Sequence, residues 1–221
     1  MLPMTSALRY GRVARILHWT IAILILVAIP LGLICGSIGQ KAADPRFAEL
    51  RSVLLFWHKS IGVTVLVLAI VRILWRLAHK PPPLPTHMPN GERVLAKAVH
   101  GLLYIVMVGM PVTGIMLTQA TGFPVRWFGL WTLPDMVHPD RSIPMMQRME
   151  VKLSLILHER ILAYTLFAML ALHIAGLLKH HFVNRDPSIW RRMAPWRNPE
   201  REMEAPLANE FAKVRRSRGS P

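Results

Sequence analysis

A chain of 221 residues that is 52% hydrophobic and only 18% charged, with a mean hydropathy of +0.34, cannot cover a water-facing surface at ordinary polar density. Its 27 Lys and Arg against 12 Asp and Glu give a formal charge of +15, so the basic residues must lie outside long apolar blocks. That arithmetic argues against a soluble enzyme and for a small integral membrane protein with basic ends.

One cysteine, Cys35, rules out an intrachain disulfide, a cysteine-only zinc site, a Cys-ligated iron–sulfur cluster and covalent haem attachment through a CxxCH motif. It lies late in an apolar run and reads as a packing residue. Ten histidines are left to carry any metal chemistry.

The first apolar run, Ile16 to Gln40, contains no Asp, Glu, Lys or Arg and follows Arg9, Arg12 and Arg15. It predicts a spanning helix over 15–38, since about 20 apolar residues cross a bilayer. The small residues Ala42 and Ala43 resemble a signal cleavage site, but the run is long enough to span and is read as retained. A second helix is predicted over 52–78. Its middle, Ser60 to Val71, is free of charge, while Lys59, Arg72 and Arg76 lie where long basic side chains snorkel to headgroups. Lys80-Pro81-Pro82-Pro83-Leu84-Pro85 then ends the helix as a stiff extended connection.

The uncharged stretch Ala98 to Val125 predicts a third helix over 94–120. The connection from Thr121 to Met149 holds Phe123, Trp127, Phe128 and Trp131, aromatics suited to an interfacial belt. Ile161 to Leu178 predicts the core of a fourth helix over 150–181. No internal repeat and no strand pattern is evident. The fold class is therefore all-α, a four-helix membrane bundle over 1–195. A basic tail over 196–221 has too little apolar content to fold alone and can lie against anionic lipid. Nucleic acid is the rival partner for such a tail, but no recognition motif accompanies it.

This topology puts 18 of the 27 basic residues on one side and nine on the other, so the positive-inside rule makes both termini cytoplasmic. It also sorts the histidines by depth. His18 and His100 lie just inside the cytoplasmic starts of helices one and three, and His58 just inside the outer start of helix two. Helix four carries His158 near its outer end and His173 near its inner end. Fifteen residues of ideal helix separate the last two by about 22 Å and about 60° around the axis, so both can face the interior.

Ionisable groups inside a span usually mark function. Two imidazole pairs stacked at different depths, His58 with His158 and His18 with His173, are what two b-type haems require. One imidazole nitrogen serves iron while the other donates a hydrogen bond. Isolated hydrogen-bonded packing histidines are the bland alternative. Zinc is the metal rival, but it wants four clustered ligands rather than two layers. Gly62, Gly101 and Gly176 near these histidines could admit a flat macrocycle, although small residues also serve ordinary helix packing.

The stretches Arg15-Ile16-Leu17-His18-Trp19, Trp57-His58-Lys59-Ser60-Ile61-Gly62, Val71 to Arg76, His100 to Tyr104, Pro111 to Gly114, and His158-Glu159 through His173 to His181 together resemble the bacterial cytochrome b561 family. The resemblance covers residues 8–195 and extends to the cytochrome b subunits of hydrogenase and formate dehydrogenase. It implies a multi-pass protein of the bacterial inner membrane holding two non-covalent haem b groups. His18 and His173 would ligate the cytoplasmic-side haem, His58 and His158 the outer one. It further implies ubiquinone chemistry at the cytoplasmic end, near His100 and His180. Small members of the family are similar to superoxide:ubiquinone oxidoreductases.

His100 competes with His18 by depth, and the resemblance favours His18 as ligand with His100 as a neighbour of haem or quinone. Haem propionates would draw on Arg15 and Arg72 among the inner-level cations, with snorkelling to lipid phosphate as the plainer role. The chain departs from the family in its tail after Pro195 and in a longer third connection, which leaves the outer donor open. That donor would be superoxide, or a redox partner protein if the chain is instead the membrane-anchor electron-transfer subunit of a separate dehydrogenase or reductase.

Overall fold

The computed structural model describes residues 9–39, 41, 43–83, 88–185 and 188–194; the tail at 196–221 and His87 lie outside the described residues. Four helices are long and apolar enough to cross a membrane: α1 (Arg12–Gly39), α2 (Pro45–Ala78), α3 (Asn90–Ala120) and α4 (Met149–Val183). A short α5 (Ser188–Met193) follows. The four-helix architecture expected from the apolar runs is the one observed, with longer helices.

Local chemistry sets the extra length. α2 begins seven residues before position 52 because Asp44 caps it, its carboxylate accepting from the Arg46 N–H at 3.0 Å, with Pro45 in the first turn. α3 starts at Asn90, directly after Pro89. Hydroxyls within the spans bond back to their own helix, Thr64 to the Ser60 carbonyl and Thr118 to the Gly114 carbonyl at 2.9 Å each. No polar hydrogen of these side chains then faces hydrocarbon. Large apolar side chains such as Ile16, Ile23, Leu33, Leu74 and Ile105 are exposed on the bundle surface, the lipid-facing side of a membrane protein.

Ile21 of α1 packs against Ile61 and Val65 of α2, with Ala28 and Met107 at the margin of that cluster. A second cluster, Val63, Ile115 and Val125, lies toward the end that carries the α3–α4 connection. We call this the hairpin end, and the opposite one the termini end. At the termini end α5 is tied to the start of α1. The Trp19 indole donates to the Met193 carbonyl (2.7 Å), Arg15 Nη1 to the Ala194 carbonyl (2.9 Å) and the Tyr10 N–H to the Arg192 carbonyl (3.3 Å). These bonds satisfy carbonyls left open at the end of a short helix.

Two expectations are corrected. The α3–α4 connection contains a minimal antiparallel hairpin, β1 (Arg126–Trp127) with β2 (Trp131–Thr132), where no strand pattern was evident. Strands of two residues are too short to leave a periodic signature. They are held instead by contacts to α2: Trp127 Nε1 donates to Thr64 Oγ1 and the Phe128 N–H to Ser60 Oγ, both at 3.0 Å. Thus Trp127 packs on the bundle, while Phe128, bonded to α2 through its backbone N–H, stays exposed with Phe123 and Trp131 in the manner of an interfacial belt. Secondly, α4 is not a uniform α-helix. Ile156–Leu162 and Lys179–Val183 are π-helical, and each contains histidine. A π segment absorbs about one residue without advancing the spiral. The angle between His158 and His173 moves accordingly from about +60° to about −40°, which still leaves both on one face.

Two buried polar side chains clasp the rest of the connection. Gln119 Nε2 donates to the Pro134 carbonyl (2.9 Å), and its Oε1 accepts from the N–H groups of Met136 (2.8 Å) and Val137 (3.3 Å). Arg148 bonds the carbonyls of Ile143 and Ala120 at 3.0 and 3.1 Å. Gln119→Ala would strand three backbone groups. The expected cost is about 2 kcal/mol, read as a thermal midpoint about 5 °C lower in detergent and as new protease cleavage between 121 and 148.

Candidate functional site

The histidines sorted by depth in the sequence meet across the bundle. At the hairpin end the rings of His58 (α2) and His158 (α4) have centroids 6.4 Å apart and planes at 89°. At the termini end His18 (α1) and His173 (α4) are 6.2 Å apart with planes at 73°. His100 (α3) approaches His173 more closely, at 5.0 Å.

The hairpin-end pair is built by one device used twice. His58 Nδ1 donates to the Ala28 carbonyl of α1 at 2.9 Å, and His158 Nδ1 to the Met110 carbonyl of α3 at 3.0 Å. Each carbonyl lies four residues before a glycine, Gly32 and Gly114, over which the imidazole rests. A Cβ on Gly32 would stand 2.9 Å from His58 Cε1, and one on Gly114 would stand 3.0 Å from His158 Cε1. Only glycine lets the rings lie that close to the facing backbone. The Thr113 hydroxyl is also 3.2 Å from His158 Nδ1. With the Nδ1 proton committed, each ring leaves Nε2 unprotonated, its lone pair available to a metal ion.

These are not the glycines singled out from the sequence: a Cβ at Gly62, Gly101 or Gly176 would meet nothing within 4 Å. Pro111 and Gly114 entered only as part of a family-like stretch, and the signal left unread there and at Gly32 was the neighbouring proline. Pro30 and Pro111 sit inside α1 and α3, each just before its glycine. A Pro–Gly interruption within a span is tolerated where another group uses the backbone.

At the termini end, His100 Nδ1 bonds the Ala96 carbonyl of its own helix at 2.6 Å. Arg72 lies within electrostatic reach of His18, His173 and His100. Its Nε donates to the Tyr104 hydroxyl (3.3 Å), and Arg76 lies over the Tyr104 ring. Arg15 is engaged with α5 as described. His180 stands apart from this group, beside Glu92 and Asn184. His79 stacks on Trp75 in the α2–α3 connection.

The pair spacings have a chemical meaning. Two imidazoles on opposite sides of one metal ion need about 6.2 Å between ring centres, taking a metal–nitrogen distance of about 2 Å and about 1.1 Å from nitrogen to ring centre. His58–His158 and His18–His173 have that spacing. His100–His173, at 5.0 Å, is too close. Among the described residues no group of three or more His, Cys, Asp or Glu is arranged to hold a metal ion.

The model for prokaryotic cytochrome b561 matches residues 9–196. The chain is 27% identical over 186 residues to cytochrome b561 homolog 2 of Escherichia coli K12, covering 84% of this chain and 91% of that protein. It is likewise 27% identical over 180 residues to the probable superoxide oxidase CybB of Yersinia pestis, covering 80% and 91% of the two chains. Cytochrome b561 homolog 1 of Escherichia coli K12 is 23% identical over 185 residues, covering 84% and 97%. A family match spanning the whole bundle, together with four apolar helices and paired intramembrane histidines, identifies this chain as a member of the prokaryotic cytochrome b561 family of membrane electron-transfer proteins, a family of b-type haem.

Proposed function

We propose that this chain is a di-haem cytochrome of a bacterial inner membrane, with residues 1–195 as its cytochrome domain and both termini cytoplasmic. It carries single electrons from superoxide at the outer face to ubiquinone at the cytoplasmic face. One observation carries this reading: two histidine pairs at different depths, both with the ring spacing of opposed ligands to one metal ion. His58 and His158 would hold the outer haem, and His18 and His173 the inner one. The donor set suits the group, being neutral imidazoles in an apolar bundle with glycines where each outer ring meets backbone. When bound, haem b supplies reversible one-electron iron chemistry.

The protein supplies orientation and exclusion. The Ala28 and Met110 carbonyls fix the tautomers of the outer pair, so Nε2 is the unprotonated ring nitrogen before anything binds. Two histidines would hold each haem, a donor set that would favour electron transfer over oxygen activation. His100, too close to His173 to share a metal with it, is left to line the quinone region with His180. Arg15 and Arg72 supply positive charge at that level for anionic propionates. The relative named as a probable superoxide oxidase supports the choice of donor. So does charge: the outer segments carry nine basic and six acidic residues, a modest positive field for steering a small anion.

Ligand roles are separable by substitution, read as haem content and absorption spectra of purified protein. His58→Ala and His158→Ala each remove the same haem. Gly114→Ala lowers occupancy of that site by crowding the His158 ring. His18→Ala and His173→Ala remove the other haem, whereas His100→Ala retains it and alters quinone reactivity. Loss of the inner haem in His100→Ala with retention in His18→Ala would reverse the assignment.

The donor is tested in liposomes containing quinone. A superoxide pulse should reduce the oxidised protein at a rate that falls as salt rises, since steering is screened beyond about 8 Å at physiological ionic strength. Reduction by quinol alone, with no response to superoxide, would show electrons flowing the other way.

A further inference from the structure

α3 and α4 meet at two successive levels near the termini end. The deeper level is His100 against His173. Eight residues earlier on α3 and seven later on α4, about two turns nearer the surface, Glu92 meets His180. His180 Nε2 is 3.5 Å from Glu92 Oε2, while the other carboxylate oxygen, Oε1, accepts from Lys179 Nζ at 2.6 Å. Asn184 Nδ2 donates to His180 Nδ1 at 3.0 Å, which places the ring proton on Nε2, facing the carboxylate. The His180 side chain is only 14% exposed and that of Glu92 27%, so the pair runs from the water boundary into the bundle. His180 lies in the local π-helical turn at Lys179–Val183, and such turns recur at functional sites.

Reducing a quinone to quinol takes two electrons and two protons, and it forms an O–H bond at each quinone oxygen. The electrons arrive singly from two donor molecules, but the protons must come from water on the quinone side. Glu92 and His180 are a carboxylate and an imidazole in series at that boundary. We propose that His180 takes up a proton at Nδ1 from the aqueous edge beside Asn184 and releases its Nε2 proton to Glu92 Oε2, and that Glu92 then gives that proton up to a quinone bound beside His100. This rests on the quinone reading above. Lys179 holds the carboxylate in place and carries no proton to the site.

The test separates the two ideas. Wild-type protein and variants in nanodiscs are reduced with limiting dithionite and mixed with a short-chain ubiquinone, following haem reoxidation and proton uptake by a pH dye. Glu92→Gln and His180→Asn should slow reoxidation at least about tenfold, a modest loss for general acid catalysis, with haem content and rate of haem reduction unchanged. Glu92→Asp should recover most of the rate, and Lys179→Met should change it less than about twofold. The redox infrared difference spectrum of wild type should contain a carboxylic acid band that shifts in D2O and is missing in Glu92→Gln. If Glu92→Gln loses haem, Glu92→Asp with its band shifted and its rate retained still supports the relay. Wild-type rates and an unchanged band in Glu92→Gln would overturn the relay and leave quinone reduction standing. Failure of wild-type protein to reduce quinone would overturn both.

Discussion

Inside a bilayer every polar group must find its partner within the protein, and the imidazoles of this bundle are the groups on which that demand falls hardest. At the hairpin end the demand is met by borrowing carbonyls from facing helices. His58 reaches Ala28, and His158 reaches Met110. Both bonds require a glycine one turn along, because the ring must lie against backbone to reach the oxygen. Helix register, ring tautomer and the direction of the remaining nitrogen are thereby fixed together.

The same device appears on both sides of the bundle, giving α1–α2 and α3–α4 a shared internal logic. In each pair the first helix supplies an internal proline and a glycine, and the second supplies the histidine. The termini end is built differently. It gathers three histidines rather than two, surrounds them with Arg72, Arg76 and Tyr104, and is closed against α1 by α5. A sealed, hydrogen-bonded pair at one end and a more polar, crowded group at the other suit different tasks. On the proposed function the first would hold a haem, while the second would also handle charge and protons.

Much of this was legible in the sequence because the bilayer imposes simple rules. Uncharged runs of spanning length gave α1 to α4, and helical arithmetic on His18, His58, His158 and His173 placed two pairs at two depths. What stayed hidden depends on how the helices cross. Gly32 and Gly114 matter through facing rings on other helices, while a Cβ on Gly62 or Gly176, each about one turn from a histidine in the chain, would meet nothing within 4 Å. The π turns around His158 and His180 carry no composition signal. The docking of α5 rests on Trp19 and Arg15 meeting main-chain carbonyls more than 170 residues away, which no local pattern reports.

The central claim is that two histidine pairs hold two haems, and counting haem tests it most directly. Protein purified in detergent and assayed as the pyridine haemochrome, with chain concentration measured independently, should contain about two haem b per chain, one per bis-imidazole pair. Its spectrum should be six-coordinate and low-spin. A preparation that saturates at one haem per chain, or that binds none, would contradict the account.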